Sequence, residues 1–237
     1  MKVVLLRVGI DAGAGGIQGP LFSDGSFEFI PIPDTRALDQ RNYGNTLGRH
    51  GRPLIEYFPQ SRQARMARCS IHFDPEFSSF TYGDPTRPKR SLRRLQQGDL
   101  LVFYSGLEGW DFSSSPALYL IGYFEVATSG LASEFTNDYV RKHFAENFHV
   151  RHEAVYQRQR DRLILVKGRP GSRLFERAVR ISSTGKDVKG RELKVLSREM
   201  QAIFGDFSGR ISIQRSPPRW IDHQYVRKSA AYVRSLD

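Results

Sequence analysis

Cysteine is almost absent from this sequence. The 237 residues include one, Cys69, so an intrachain disulfide and a cysteine-built zinc site are both excluded. Long hydrophobic runs are missing as well. The opening apolar stretch, KVVLL, is interrupted by Arg7 and is too short for a signal peptide or a membrane span. These features predict a cytoplasmic protein without a membrane partner.

The common catalytic motifs are also lacking. The sequence has no H-E-x-x-H, no H-x-E followed by C-x-x-C and no G-x-S-x-G, which argues against zinc deaminases and serine hydrolases of the usual kinds. It has no Gly-Lys-Ser/Thr, which a Walker loop would need. The sequence therefore identifies no cofactor and leaves open whether the protein is an enzyme.

Negative charge is scarce relative to positive charge. The sequence carries 36 lysines and arginines against 25 acids, a net charge of +11, and 28 of the cations are arginines. Guanidinium groups contact phosphate through two hydrogen bonds and stack on bases. The excess favours nucleic acid, DNA or RNA, as partner. A GC-rich or thermophilic genome would give the same excess of arginine without such a partner, and the oligomeric state is not indicated.

The remaining composition, 39% apolar with 16 Phe and 10 Tyr, is that of a globular protein. Periodicity predicts strands over 2–10, 26–32, 100–105, 117–127 and 161–168, and helices over 137–146, 197–204 and after Asp222. LLVFYS and ALYLIGYFEVA are expected to pair antiparallel across the loop 106–116. The prediction is one α+β domain over residues 1–237.

The stretch GDLLVFYS, a loop and then LYLIGYFEV resembles the core hairpin of PUA-like barrels, the group that includes the ASCH and EVE domains. These small barrels bind RNA or modified DNA bases. The resemblance implies a mixed or antiparallel, barrel-like sheet with peripheral helices and a PUA-like core at about 91–170.

A second resemblance covers nearly the whole chain. It is carried by RVGIDAGAGGIQGPLFSDGSFEFIPIPD at the start, HFDPEFSSFTYGDPTRPKR at 72–90, LQQGDLLVFYSGL at 95–107, NFHVRH at 147–152 and QRSPPRW at 214–220. These runs are similar to the third nucleotide-modification-associated domain family, grouped by association with systems that modify DNA bases in bacteria, archaea and their viruses. The resemblance implies a base-modification context and supplies no catalytic residues.

Carboxylates concentrate in the first 85 positions. Asp11 directly follows a predicted strand, and Asp74 lies beside His72, so both aspartates are candidates for acid/base or metal chemistry. Turn carboxylates more often cap backbone amides, which is the alternative. No metal-ligand set is assigned. His149, three residues before His152, is expected to be structural.

Basic side chains interleaved with aromatics suit phosphate contact and base stacking. The candidates for nucleic-acid binding are Arg87, Lys89, Arg90, Arg93, Arg94, Tyr104, Arg215, Arg219 and Trp220. The alternatives are a solvated loop at 86–94 and an indole that covers the core edge.

The loop AGAGGIQGP follows the first strand, and its Gly13, Gly15 and Gly16 are candidates for a phosphate-binding loop. A tight structural crossover is the alternative, because no helix is predicted after the loop. The leading hypothesis is a protein that acts on or recognises a nucleotide within nucleic acid. Its rivals are a non-catalytic reader of modified bases and an enzyme that acts on a free nucleotide through this loop.

Overall fold

The computed structural model describes residues 1–34, 36, 40–214 and 217–236. Within them the strands are β1 (Val3–Arg7), β2 (Gly19–Leu21), β3 (Ile32–Asp34), β4 (Ser70–His72), β5 (Thr81–Asp84), β6 (Leu100–Gly109), β7 (Ala117–Leu131), β8 (Ile164–Gly168), β9 (Arg173–Arg180), β10 (Ser182–Lys186), β11 (Glu192–Leu196) and β12 (Arg219–Trp220). The α-helices are α1 (Gln60–Met66), α2 (Asn137–Phe144), α3 (Phe148–Arg151), α4 (Glu153–Gln159), α5 (Arg198–Phe204) and α6 (His223–Arg234). Short 3-10 helices cover Leu54–Tyr57, Arg87–Arg94 and Ala132–Glu134.

One large mixed sheet organises the molecule. Its strands follow the order β12-β1-β6-β7-β8-β5, with β2 also paired to β6 and β9 to β7. The β1–β6 pair is parallel, whereas β6, β7 and β8 are antiparallel neighbours. The predicted mixed sheet with peripheral helices is therefore confirmed. No closed barrel is found in the described residues, so the barrel-like part of the prediction is not confirmed.

The predicted central hairpin is present. β6 and β7 pair antiparallel, with Leu101 opposite Phe124 and Leu107 opposite Ala117. Both strands are longer than predicted, because polar and glycine residues at their ends continue the pairing. This hairpin supplies the middle of the core, where Phe103 and Phe124 pack edge to face with ring centroids 4.7 Å apart.

The strand predicted over 26–32 is wrong. Phe27 and Phe29 are buried, as their alternation indicates, but the backbone at Ser26 and Phe27 makes only isolated bridges. The regular strand is β3, which pairs antiparallel with β4 and places Ile32 opposite His72. The alternating phenylalanines thus indicated an extended segment but not which strand, if any, it pairs with.

The helix predictions are confirmed to within a few residues. Thr136 caps α2 by accepting a hydrogen bond from the Tyr139 amide at 3.2 Å. The helix α5 ends at Gly205, whose φ of 81° favours glycine. No helix in the described parts of the chain combines the length and apolar character needed to cross a bilayer.

Candidate functional site

Three side chains from two distant segments of the chain converge beside the end of β1. They are His72 at the end of β4, Asp74 two residues later and His149 in α3, and one ligand atom from each lies within 4.8 Å of the others. Asp74 Oδ2 is 3.9 Å from His72 Nε2 and 3.8 Å from His149 Nε2. These separations are too long for hydrogen bonds. We call this group the triad.

Local structure fixes each member of the triad. Pairing of β3 with β4 places His72, and the Gly83 amide donates to Asp74 Oδ1 at 2.9 Å, which leaves Oδ2 toward the histidines. Asn147 caps α3 by accepting from the His149 amide at 3.1 Å. The side chains are therefore held by backbone elements before any ligand binds.

The imidazoles are arranged as ligands. His149 Nδ1 lies 2.7 Å from Gln159 Oε1, and in the tautomer that donates to this oxygen from Nδ1, Nε2 has its lone pair toward Asp74. His72 stacks on Phe148 with ring centroids 3.8 Å apart. Its Nε2 is buried and has no hydrogen-bond partner among the described residues. A buried nitrogen without a partner is costly, and coordination of a cation would satisfy it.

Burial dominates the electrostatics of the triad. It lowers the pKa of His72 well below its ordinary value and that of His149 to about 4, so both imidazoles are neutral at neutral pH. Burial also raises the pKa of the Asp74 carboxyl well above its ordinary value. An ionised Asp74 consequently needs a positive partner, and a divalent cation between the three groups would provide one.

The triad opens into a pocket of about 350 Å³, which we call the triad pocket. Three cations line it: Arg7, Arg36 and Lys89. Burial lowers the pKa of Lys89, and the carboxylates of Asp84 and Asp74 oppose that shift. Cations beside the triad suit an anionic ligand such as a phosphate ester.

The predicted basic run divides between this pocket and the surface. Lys89 points into the triad pocket, whereas four residues of the same 3-10 helix are exposed: Arg87, Arg90, Arg93 and Arg94. We call these four the arginine ridge. The Arg94 guanidinium lies 4.4 Å from the centre of the Trp220 ring, and the indole donates to Ser91 Oγ at 3.3 Å. The ridge and Trp220 thus form one surface.

The other predicted base contacts fare differently. Tyr104 is fully buried and donates to the Ile213 carbonyl at 2.9 Å, so the prediction that its ring meets a base is wrong. Arg219 donates to the Ser212 carbonyl at 2.7 Å and lies over the Phe207 ring. Arg215 lies outside the described residues.

Asp11 does not join Asp74. Its Oδ1 accepts from the amides of Gly13 at 2.7 Å and Ala14 at 2.8 Å, and its Oδ2 is 3.2 Å from Arg7. The Gly16 amide also donates to the Asp11 carbonyl. Asp11 is therefore a capping carboxylate, as the alternative interpretation expected.

The same contacts bear on the predicted phosphate loop. The amides of Gly13 and Gly16 are directed at Asp11, and the carbonyls of Gly15 and Gly16 accept from Arg62 Nη1 at 3.2 and 2.8 Å. A phosphate would find no free donor at Gly13 or Gly16. The arrangement is that of a tight structural crossover.

Residues 2–235 match the family described as nucleotide modification associated domain 3. The chain belongs to this family. The resemblance drawn from the sequence is confirmed. No curated protein and no solved structure matches the chain.

In this nucleotide modification associated domain 3 protein, the sequence indicates Asp74 and its neighbour His72, whereas it indicates only a structural role for His149. His72 and Asp74 stand two residues apart on an extended segment, a spacing that puts both side chains on one face. His149 and its orienting partner Gln159 carry no comparable signal, because only the fold brings α3 and α4 to the β4 end.

Proposed function

We propose that this protein is a metal-dependent enzyme that modifies a nucleotide within a nucleic-acid strand. The observation that carries the proposal is the convergence of His72 Nε2, Asp74 Oδ2 and His149 Nε2 in a pocket lined by cations. Two imidazoles and one carboxylate with open positions are a ligand set typical of catalytic zinc and of non-haem iron(II). A metal held there would polarise a substrate oxygen or activate a bound water.

Size and charge favour one nucleotide as the occupant of the triad pocket. Its volume of about 350 Å³ is at the lower end of ordinary ligand sites. Arg7, Arg36 and Lys89 would hold phosphate oxygens of that nucleotide. A base in a duplex must leave the stack to reach such a pocket, whereas a base in a single strand need not.

The arginine ridge favours a polymer over a free nucleotide. Lys89 belongs to the pocket wall, and its neighbours Arg87 and Arg90 are exposed on the same 3-10 helix. A strand with one nucleotide in the triad pocket would therefore run its phosphates along the ridge. Because Arg94 covers the Trp220 ring, a flanking base would first meet the guanidinium plane.

The experiment measures metal binding to the purified chain by equilibrium dialysis against Zn²⁺, Mn²⁺ and, without oxygen, Fe²⁺. Wild type is expected to bind one equivalent of at least one of these ions. His72→Ala and Asp74→Asn should lower that affinity by at least about tenfold, the scale of losses at metal sites. His223→Ala removes an exposed histidine at the start of α6 and is the matched control.

Mass spectrometry of single-stranded oligonucleotides incubated with the loaded protein then tests the reaction. A metal-dependent mass change that the triad variants lose supports the enzyme. Equal metal binding by wild type and the triad variants would contradict the proposal. Tight oligonucleotide binding with no metal bound and no mass change would instead support the reader of modified bases.

A further inference from the structure

A second, larger pocket lies next to the triad pocket. Its volume is about 540 Å³, and its lining includes Arg7, Asp11, Gln18, Leu118, Lys194 and Gln214. Arg7 lines both pockets. The Arg7 side chain is therefore part of the boundary between them. We call this cavity the second pocket.

The topology explains why the two pockets adjoin. β1 and β6 are parallel, so their carboxyl-terminal ends lie on the same side of the sheet. β7 is antiparallel to β6 and therefore begins on that side. The hairpin of β10 and β11 supplies another wall through Leu193 and Lys194. Crevices outside the carboxyl ends of parallel strands are common ligand sites.

The lining combines apolar walls with groups that can read a base. Leu118 and Leu193 offer apolar contact surface. The Gln18 amide lies against Gly106, where a side chain would collide with Gln18 Oε1, and it makes no hydrogen bond to any described residue. An amide of this kind has a donor and an acceptor for the edge of a base.

Arg7 is held in place by one ion pair, which leaves some of its N–H donors available. Its guanidinium is 3.2 Å from Asp11 Oδ2 and its side chain is mostly buried. A guanidinium has five N–H donors, so one ion pair leaves others for a phosphate. A cation common to two cavities is in the right place for the phosphodiester that joins two nucleotides.

We propose that the second pocket binds the nucleotide adjacent to the reacting one in the same strand, with Gln18 reading its base edge and Arg7 contacting the phosphodiester between them. The proposal rests on the proposed function, because it takes the triad pocket as the place of the reacting nucleotide. On this proposal the protein recognises two adjacent nucleotides and not a single one.

The test is competition against a fluorescein-labelled single-stranded 12-mer at a fixed Zn²⁺ concentration, run with DNA and with RNA. The competitors are 5′-phosphorylated mononucleotides and dinucleotides with every second base. For wild type, dinucleotides should compete at least about tenfold better than mononucleotides, the scale of one well-held base. Gln18→Ala should remove most of that advantage.

Two further variants make the result specific. Gln18→Glu keeps the shape of the side chain but removes the amide donor, so it should change which dinucleotides compete best. Gln97→Ala removes an exposed glutamine that lines neither pocket and should behave as wild type. The proposal is overturned if wild type shows no dinucleotide advantage, or if Gln18→Ala keeps it. A dinucleotide advantage in a protein that binds no metal would uphold the second pocket and reject the enzyme.

Discussion

Among the described residues, burial raises the pKa of three carboxyl groups, those of Glu28, Asp74 and Glu76. Asp74 faces the triad histidines, and Glu76 lies 3.5 Å from Arg41. Glu28 has no such cationic partner within salt-bridge distance in the described structure. It accepts from the His50 amide at 3.3 Å, which offsets part of its desolvation. Substitution of Glu28 therefore tests how much free energy of unfolding a buried carboxylate costs this fold away from the proposed site.

We predict that Glu28→Gln gains stability relative to wild type as the pH rises. The pKa of Glu28 is raised in the folded state, so folded wild type binds more protons than unfolded wild type above the ordinary value of 4.5. Its free energy of unfolding consequently falls as the pH rises from that value through the raised pKa. Urea unfolding of both proteins at pH 4.5, 6 and 7.5 measures the difference. Glu176→Gln, at an exposed position of β9, should show none, and a difference independent of pH at Glu28 would contradict the prediction.

The sequence predicted functional side chains best where they lie close together in the chain. His72 and Asp74 are close in sequence, and Asp74 lies at the site. Asp11 shares the same residue type and a similar place after a strand, yet it caps its own loop. The difference between the two aspartates is burial, which depends on how β4, α3 and α4 pack. No local pattern reports that packing, and for the same reason the sequence does not indicate that His149 lies beside Asp74.

The 3-10 helix Arg87–Arg94 shows how one short element serves two surfaces. Its Leu92 is fully buried and holds the helix against the sheet, Lys89 turns into the triad pocket, and the arginine ridge faces outward. That this surface binds nucleic acid stays a prediction, but the sequence does indicate that its arginines are exposed, because a run of cations without an acid has few ways to be buried. It predicted the β6–β7 hairpin equally well, since adjacent strands with long apolar runs usually pair.

We predict that reversing the ridge charges weakens nucleic-acid binding without regard to sequence. The triple variant Arg90→Glu, Arg93→Glu, Arg94→Glu removes phosphate contacts, so affinity for duplex oligonucleotides should fall for every sequence. The slope of log affinity against log salt should flatten by about 0.9 per lost contact. Fluorescence anisotropy at several salt concentrations gives both quantities.

A matched triple reversal outside the ridge controls for net charge. Arg141, Lys142 and Arg210 are exposed, so replacing each by Glu changes the total charge by the same amount. If this control loses as much affinity and slope as the ridge variant, binding depends on overall charge and the ridge is not a specific contact surface.

The fold brings segments from the beginning and the end of the described chain together at the side of the sheet formed by β1 and β12. β12 pairs antiparallel with β1, which places Trp220 opposite Val4 and joins the two ends of the described chain. Such closure could in principle bring Asp11, Asp74 and Trp220 into one cleft. The structure instead gives each its own place: Asp11 in the second pocket, Asp74 in the triad pocket and Trp220 beside the ridge. That residues 1–237 form a single domain stays a prediction.

The last prediction concerns how metal binding acts on the stability of the entire fold. The triad ligands come from β4, the turn after it and α3, so an ion bound to all three ties together segments that separate on unfolding. A ligand that binds only the folded state at about 100 times its Kd adds roughly 2.7 kcal/mol to the free energy of unfolding. For a chain of this length that corresponds to a rise in Tm of roughly 5 to 10 °C. Calorimetry with the bound ion, and again after chelation, should show this rise in wild type and in the ridge variant but not in His149→Ala. An equal rise in Tm in His149→Ala would mean that the ion binds elsewhere in the protein, and it would contradict the prediction that the triad is the metal centre.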